Sequence, residues 1–313
     1  MSIALTFPGQ GSQQVGMGRL LAENFPASRA VFAEIDEALG SPLSTLIWEG
    51  PEDQLTLTEN AQPALMAVSM AALRAMETEA GFEIGTEVAF VAGHSLGEYS
   101  ALTAAGSFTL ADAARLLRLR GQAMQRAVPV GVGAMAALLG LDIGAVKDVV
   151  AAVGGTDVQI ANDNGSGQVV VSGTRAAVEA AVETAKAKGA KRAILLPVSA
   201  PFHCRLMQPA ADEMRSALEQ VSIADPVVPL IANVTASPLR SAQDIRQRLA
   251  EQVTGTVRWR ESVAYMAAEG VDAFYEIGAG KVLTGLSKRL VPEAVTQTMS
   301  TPEEIRTFAA ARR

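Results

Sequence analysis

The sequence predicts an α/β fold, a large domain of alternating strands and helices that carries a smaller inserted subdomain. Three observations lead there. Apolar residues make up 49% of the 313 residues and aromatics only 4%, so the core is aliphatic and rich in helix-forming residues. A strand, a turn and a helix follow one another around "GHSLG" (Gly93–Gly97). Between Val130 and Leu196 the order changes to β-α-β-β-α-β, which is a ferredoxin-like order. The expected division is therefore residues 1–129 and 197–313 for the large domain and 130–196 for the small one.

Each element has a local reason. "IALTF" (Ile3–Phe7) is a short apolar strand that ends in the turn residues "PGQGSQ". Helices are expected over Met17–Glu23, Ala27–Leu39 and Asn60–Ala80. "EVAFVAG" (Glu87–Gly93) is a strand and "LGEYSALTAAG" (Leu96–Gly106) a helix. The helix Thr109–Val128 begins at a capping residue, Thr109, with Asp112 at its third position. In the insert, strand Ala134–Leu141 and helix Asp142–Val153 precede a hairpin of Asp157–Asp163 and Gly167–Gly173 around Asn164-Gly165-Ser166. Helix Thr174–Gly189 and strand Lys191–Val198 complete it. A proline-started helix over Ala200–Gln220, strand Pro229–Val234, helix Ser241–Gly255 and strand Ala273–Gly278 follow, and the tail "FAAARR" is expected to fray.

Composition narrows the function. With 26 Lys and Arg against 33 Asp and Glu, the net charge is −7, which argues against general nucleic-acid binding. One cysteine, Cys204, allows no internal disulfide, and it and two histidines, His94 and His203, give no basis for a metal centre. The N-terminus lacks the pattern of a secretory signal, and no apolar run is long enough for a membrane span. The expectation is a cytoplasmic monomer with no bound cofactor or metal.

Gly93-His94-Ser95-Leu96-Gly97 fits G-x-S-x-G, a pattern that sets a serine on a sharp strand-to-helix turn. A serine hydroxyl needs a base. His94 is its chain neighbour, and side chains of neighbours on a tight turn diverge, so His94 reads as a packed elbow residue. His203 is left by elimination. No acid at a recognisable strand end orients it, and a carbonyl oxygen can hold the imidazole tautomer instead. On the helix Thr109–Val128, Leu110, Ala113, Leu117, Met124 and Val128 form one stripe, and Arg120 falls within roughly 60° of its centre. A guanidinium there is either a structural ion pair, a snorkelling side chain or a clamp for an anionic ligand. "FPGQGSQ" (Phe7–Gln13) is either an ordinary loop or a source of backbone N–H groups for an oxyanion.

Together these stretches resemble the malonyl-CoA:acyl carrier protein transacylase family of type II fatty-acid synthesis. "FPGQGSQ", "GHSLGEYSAL", "RLRGQAMQ", "GAMAALLGL", "IANDNGSGQVVVSG", "LPVSAPFHCRLM" and "EIGAGKVLTGL" match its blocks in order, from Phe7 to Leu286. The resemblance implies an α/β-hydrolase-like large domain with a ferredoxin-like insert. It implies a ping-pong transfer of malonyl from malonyl-CoA to the phosphopantetheine thiol of an acidic acyl carrier protein. Ser95 is then the nucleophile, His203 the base and Gln252 the residue whose carbonyl orients it. The N–H groups of Gln10 and Leu96 hold the oxyanion, Arg120 pairs with the malonyl carboxylate, and Asn162 and Phe202 belong to the substrate cleft. The sequence departs from the family at Phe202, where some relatives have serine, at Ala279 in place of a usual proline, and at Gly255-Thr256. A serine thioesterase or esterase with the same elbow, and an acyltransferase of a polyketide pathway, are the alternatives.

Overall fold

The computed structural model describes residues 2–312. Ten strands run in chain order: β1 (Ile3–Phe7), β2 (Val88–Gly93), β3 (Gly133–Leu139), β4 (Val158–Gly165), β5 (Gln168–Thr174), β6 (Arg192–Leu195), β7 (Leu230–Ile231), β8 (Pro238–Leu239), β9 (Ala273–Ile277) and β10 (Val295–Met299). They form two sheets, one ordered β10-β9-β1-β2-β7-β8 and one ordered β4-β5-β3-β6. The fold is thus α/β, with a mixed larger sheet and helices around it.

In the larger sheet β1 runs parallel to β2 and β9, and Phe7 faces Gly93 in register. Every residue of β1 is buried. Ile3, Leu5 and Phe7 enter one core and Ala4 the core on the other face. A strand covered on both sides reads as an unbroken apolar run, which is why "IALTF" was legible. The helix Thr58–Ala80 is buried along most of its length and packs against the helix Leu110–Ala127. In the smaller sheet all pairings are antiparallel. One side carries a core of its own, from Ala136 and Leu138 to Val178 and Ala181.

The two sheets are joined near β4. Val257 N–H donates to Ala161 O (2.8 Å), and Asp163 N–H donates to Val257 O (2.9 Å). The Thr256 hydroxyl donates to Ile160 O at 2.6 Å, and Arg260 pairs with the buried Asp163 at 2.8 Å.

Some elements differ from expectation. The helix expected from Ala200 starts at Gln208, after a short 3₁₀ turn at Arg205–Met207. Pro209, lacking an N–H, sits in its first turn, where that loss costs nothing; residues 200–204 are left as a loop. Helices Leu43–Glu49, Trp259–Ala268 and Val282–Leu290 and strand β10 were not anticipated. The tail is ordered as helix Pro302–Ala310, started by a capping box at Thr301 and Glu304, with Arg312 ion-paired to Glu87; Arg313 lies outside the described residues. Among the described residues no helix is long and apolar enough to cross a membrane.

Candidate active site

The elbow is built by close approach. A Cβ on Gly93 would lie 1.9 Å from the carbonyl of Gly97, and one on Gly97 would lie 2.2 Å from Phe7 O. Only glycine at both places lets the helix Gly97–Ala104 start directly over the ends of β1 and β2. Ser95, between them, has φ 54°, a left-handed conformation that few non-glycine residues adopt. Asn233, just past β7, secures the turn. Its Oδ1 accepts from Ser95 N–H at 2.8 Å and its Nδ2 donates to Gly93 O at 2.7 Å.

His203 also has positive φ, 58°, in the loop before the helix Gln208–Glu219. Its Nε2 lies 2.8 Å from Ser95 Oγ. Its Nδ1 faces two carbonyl oxygens, Gln252 at 2.9 Å and Gly255 at 3.1 Å. Carbonyls only accept, so the proton sits on Nδ1 and the Nε2 lone pair receives the serine hydroxyl. Burial, and then the Arg120 charge, push the imidazole pKa down to about 3, so His203 is neutral and able to take a proton at neutral pH.

Arg120 is 1% exposed. It donates to Gln62 Oε1 (2.8 Å), Gln252 Oε1 (2.8 Å) and Ser95 Oγ (3.1 Å). Its Nε has no partner, and among the described residues no carboxylate lies within ion-pair distance of it. A fully buried cation served by neutral acceptors and by the face of the Tyr99 ring, 5.8 Å away, is incompletely compensated. Of the possibilities for an arginine on this apolar face, a structural ion pair and a snorkelling head are both absent.

Gln10, Leu96, Asn162 and Phe202 line the same cavity as Ser95, His203 and Arg120, a space of about 480 Å³ between the two sheets. Neither the Gln10 nor the Leu96 amide has an acceptor among the described residues, so both are free for a ligand oxygen. Asn162, 7% exposed, bridges to Val257 at the junction of the sheets. Phe202 is half-buried between the large core and a small apolar cluster of Met135, Ala161 and Val170. His94 is turned away from the serine. Its Nε2 is 2.9 Å from Asn164 Oδ1, and its ring packs on Trp259 at 5.8 Å.

Three polar residues of the site went unread in the sequence. Gln62 holds Arg120. Asn233 holds the elbow. Glu98, 1% exposed, accepts from the Gln252 side-chain amide and from Asn233 N–H. Burial pushes the Glu98 carboxyl up to about 8, against the opposing pull of Gln252, Asn233 and Arg120.

Known proteins resemble this chain along nearly its whole length. The family model described as "Acyl transferase domain" matches residues 5–305. The malonyl CoA-acyl carrier protein transacylase of Bacillus subtilis (strain 168) is 50% identical over 97% of this chain and 95% of its own length. The crystal structure of an acyl-carrier-protein-S-malonyltransferase from Bartonella henselae superposes with a TM-score of 0.97 at 57% identity, covering 100% of this chain and 99% of that one. A malonyl-transacylase solved in complex with its type II PKS acyl-carrier protein superposes with a TM-score of 0.95 at 42% identity, covering 99% and 100%. The chain therefore belongs to the acyl transferase domain family, and within it to the malonyl CoA-acyl carrier protein transacylases.

Proposed function

We propose that this chain transfers the malonyl group of malonyl-CoA to the phosphopantetheine thiol of an acyl carrier protein through a malonyl-serine ester. The observation that carries the reading is a single atom. Ser95 Oγ lies 2.8 Å from the neutral nitrogen of His203 and 3.1 Å from the incompletely compensated guanidinium of Arg120. Nucleophile, base and carboxylate receptor converge there.

In the first half-reaction His203 Nε2 takes the Ser95 proton as Oγ attacks the thioester carbon. The oxyanion is received by the free N–H groups of Gln10 and Leu96, the latter at the start of the helix Gly97–Ala104. The tetrahedral centre collapses, the C–S bond breaks, and His203 returns its proton to the departing CoA thiolate. In the second half the carrier thiol gives its proton to His203 and attacks the ester, and Ser95 leaves with that proton. Throughout, the Gln252 and Gly255 carbonyls hold Nδ1–H and stabilise the transient imidazolium, the part an acid often plays. Arg120 binds the malonyl carboxylate, and Asn162 and Phe202 shape the cleft.

The finer architecture follows the same reading: an α/β-hydrolase-like domain of residues 1–129 and 197–313, and a ferredoxin-like domain of 130–196. The antiparallel order β4-β5-β3-β6 with helices Ile143–Ala152 and Arg175–Ala187 supports the second. The named relatives support the substrate and the carrier as partner.

The test is mass spectrometry of the intact protein after mixing with malonyl-CoA. A malonyl adduct on Ser95, absent from Ser95→Ala and discharged by holo carrier protein, is expected. Release of free malonate with no carrier acylation would instead make the chain a hydrolase.

A further inference from the structure

Gln252 is fully buried and makes four kinds of contact at once. Its main-chain oxygen holds His203 Nδ1 at 2.9 Å, and its side-chain Oε1 accepts from Arg120 at 2.8 Å. Its side-chain Nε2 donates to Ser95 O at 2.9 Å and to Glu98 Oε2. The orientation of that amide is consequential. With Oε1 towards the guanidinium the contact is donor to acceptor. Flipped by 180°, two donors would face each other across a buried gap. Acceptors opposite Nε2 add to that cost, and the Glu98 carboxyl is the side chain that joins Ser95 O and, at 3.4 Å, Asn233 Oδ1 in supplying them. Glu98 is itself fixed, because its Oε1 accepts from Asn233 N–H at 3.4 Å and it stands in the first turn of the helix that follows Ser95.

We infer that Glu98 is a positioning residue that locks the Gln252 amide, and through it joins the base His203 and the carboxylate receptor Arg120 into one unit with the elbow. The inference rests on the reading of the site proposed above and deepens it. Glu98 touches neither substrate nor the reacting atoms. It acts by keeping the Arg120 fork and the imidazole in register with Ser95 Oγ.

The test compares Glu98→Leu, which keeps the bulk and removes the acceptor, with Glu98→Gln, which keeps one acceptor oxygen for Gln252 Nε2. Ser95 acylation is followed per folded protein with malonyl-CoA and with acetyl-CoA. Removing the acceptor of a buried donor is worth roughly five- to a hundredfold. Glu98→Leu is therefore expected to slow malonyl loading about tenfold or more and to narrow the preference for malonyl over acetyl. Glu98→Gln is expected to recover most of both. If Glu98→Leu does not fold, Glu98→Asp, which withdraws the acceptor by one methylene, is read the same way. A folded Leu or Asp variant with unaltered rate and selectivity overturns the inference. So does a Gln variant as impaired as Leu. Failure of the wild-type protein to form any malonyl-Ser95 ester would be a different result. It would overturn the reading of the site, and the inference with it.

Discussion

At the scale of single residues, the selectivity expected of the proposed site turns on one buried charge. Arg120 has three neutral acceptors and an idle Nε, so on the function proposed above a bound carboxylate supplies the counter-charge it lacks. A neutral acyl group leaves the cation uncompensated. Removing one member of a buried charge pair costs about 3–5 kcal/mol, or roughly two to four orders of magnitude. Arg120→Ala is expected to lower kcat/KM for malonyl-CoA by about that factor while admitting acetyl and other neutral acyl groups; parallel kinetics on malonyl- and acetyl-CoA check it. His203 supplies the pH dependence. Its folded pKa of about 3 lies below the ordinary 6.5, so between these values the unfolded chain binds a proton that the folded chain refuses. Stability is present above pH 6.5 and is lost as pH falls towards 3, with a slope of about 1.4 kcal/mol per pH unit from this group. Glu98, raised to about 8 from 4.5, has the opposite sign and loses stability as pH rises through that range. Denaturant titrations of wild type and His203→Gln, compared pH by pH, isolate the histidine: wild type should lose stability relative to the variant as pH falls from 6.5 towards 3. Ser95, His203 and Arg120 were legible because each is conspicuous, a motif, one of two histidines, and a charge on an apolar stripe. Gln62, Glu98 and Asn233 were not. An acid in a first helical turn and an asparagine after a strand are common, and only the fold, which brings Asn233 to Ser95 across 138 residues, gives them a role.

At the scale of elements, the strand-turn-helix unit around Ser95 is the part where local sequence and site geometry coincide. The two glycines of the motif are needed for packing rather than for the chemistry itself, since their Cβ positions are filled by Gly97 and Phe7 backbone. Gly97→Ala forces the helix start away from the end of β1, which also carries the Gln10 loop. A misplacement of about 1 Å at a reacting centre can cost on the order of a hundredfold. Gly97→Ala is accordingly expected to slow Ser95 acylation by about that factor and, because the added Cβ overpacks the elbow, to lower the melting temperature as well; stopped-flow loading and thermal melts measure the two separately. Buried elements with one clear period were readable. The strand β10 was not, because its residues Val295–Met299 alternate between exposed and partly buried at a sheet edge and mix polar and apolar types. The loop 200–204 carries a helix signal in the proline start of "APFHC". What overrides that signal is the left-handed backbone at His203, a tertiary demand that no local pattern displays.

At the scale of the whole molecule, the cavity opens between two sheets that share one stitched junction, and access for a carrier-borne thiol depends on what borders its mouth. The chain carries a net charge of −7, so an acidic carrier is repelled on average and must find a local cationic surface. Two exposed groups offer one: Lys186, Lys188, Lys191 and Arg192 near β6, and Lys281, Lys288 and Arg289 around the helix Val282–Leu290. Their distances from the mouth decide between them. Val282, Leu283 and Leu286 line the cavity, Lys281 directly precedes that helix, and at about 100° per residue Arg289 falls some 20° from Val282 while Lys288 points to the far side. In the other group Lys186 is already paired with Glu183, and Arg192 is at the far end of β6 from the cavity residue Leu196. Lys281→Glu and Arg289→Glu are therefore expected to raise KM for the carrier several-fold, with an effect that shrinks as salt is added, and to leave Ser95 loading from malonyl-CoA nearly unaltered. Lys288→Glu and Lys186→Glu serve as comparisons and should change KM little. Steady-state kinetics with the carrier as the varied substrate, at two ionic strengths, separate the groups, and an unchanged KM in both Lys281→Glu and Arg289→Glu removes this helix as the docking face.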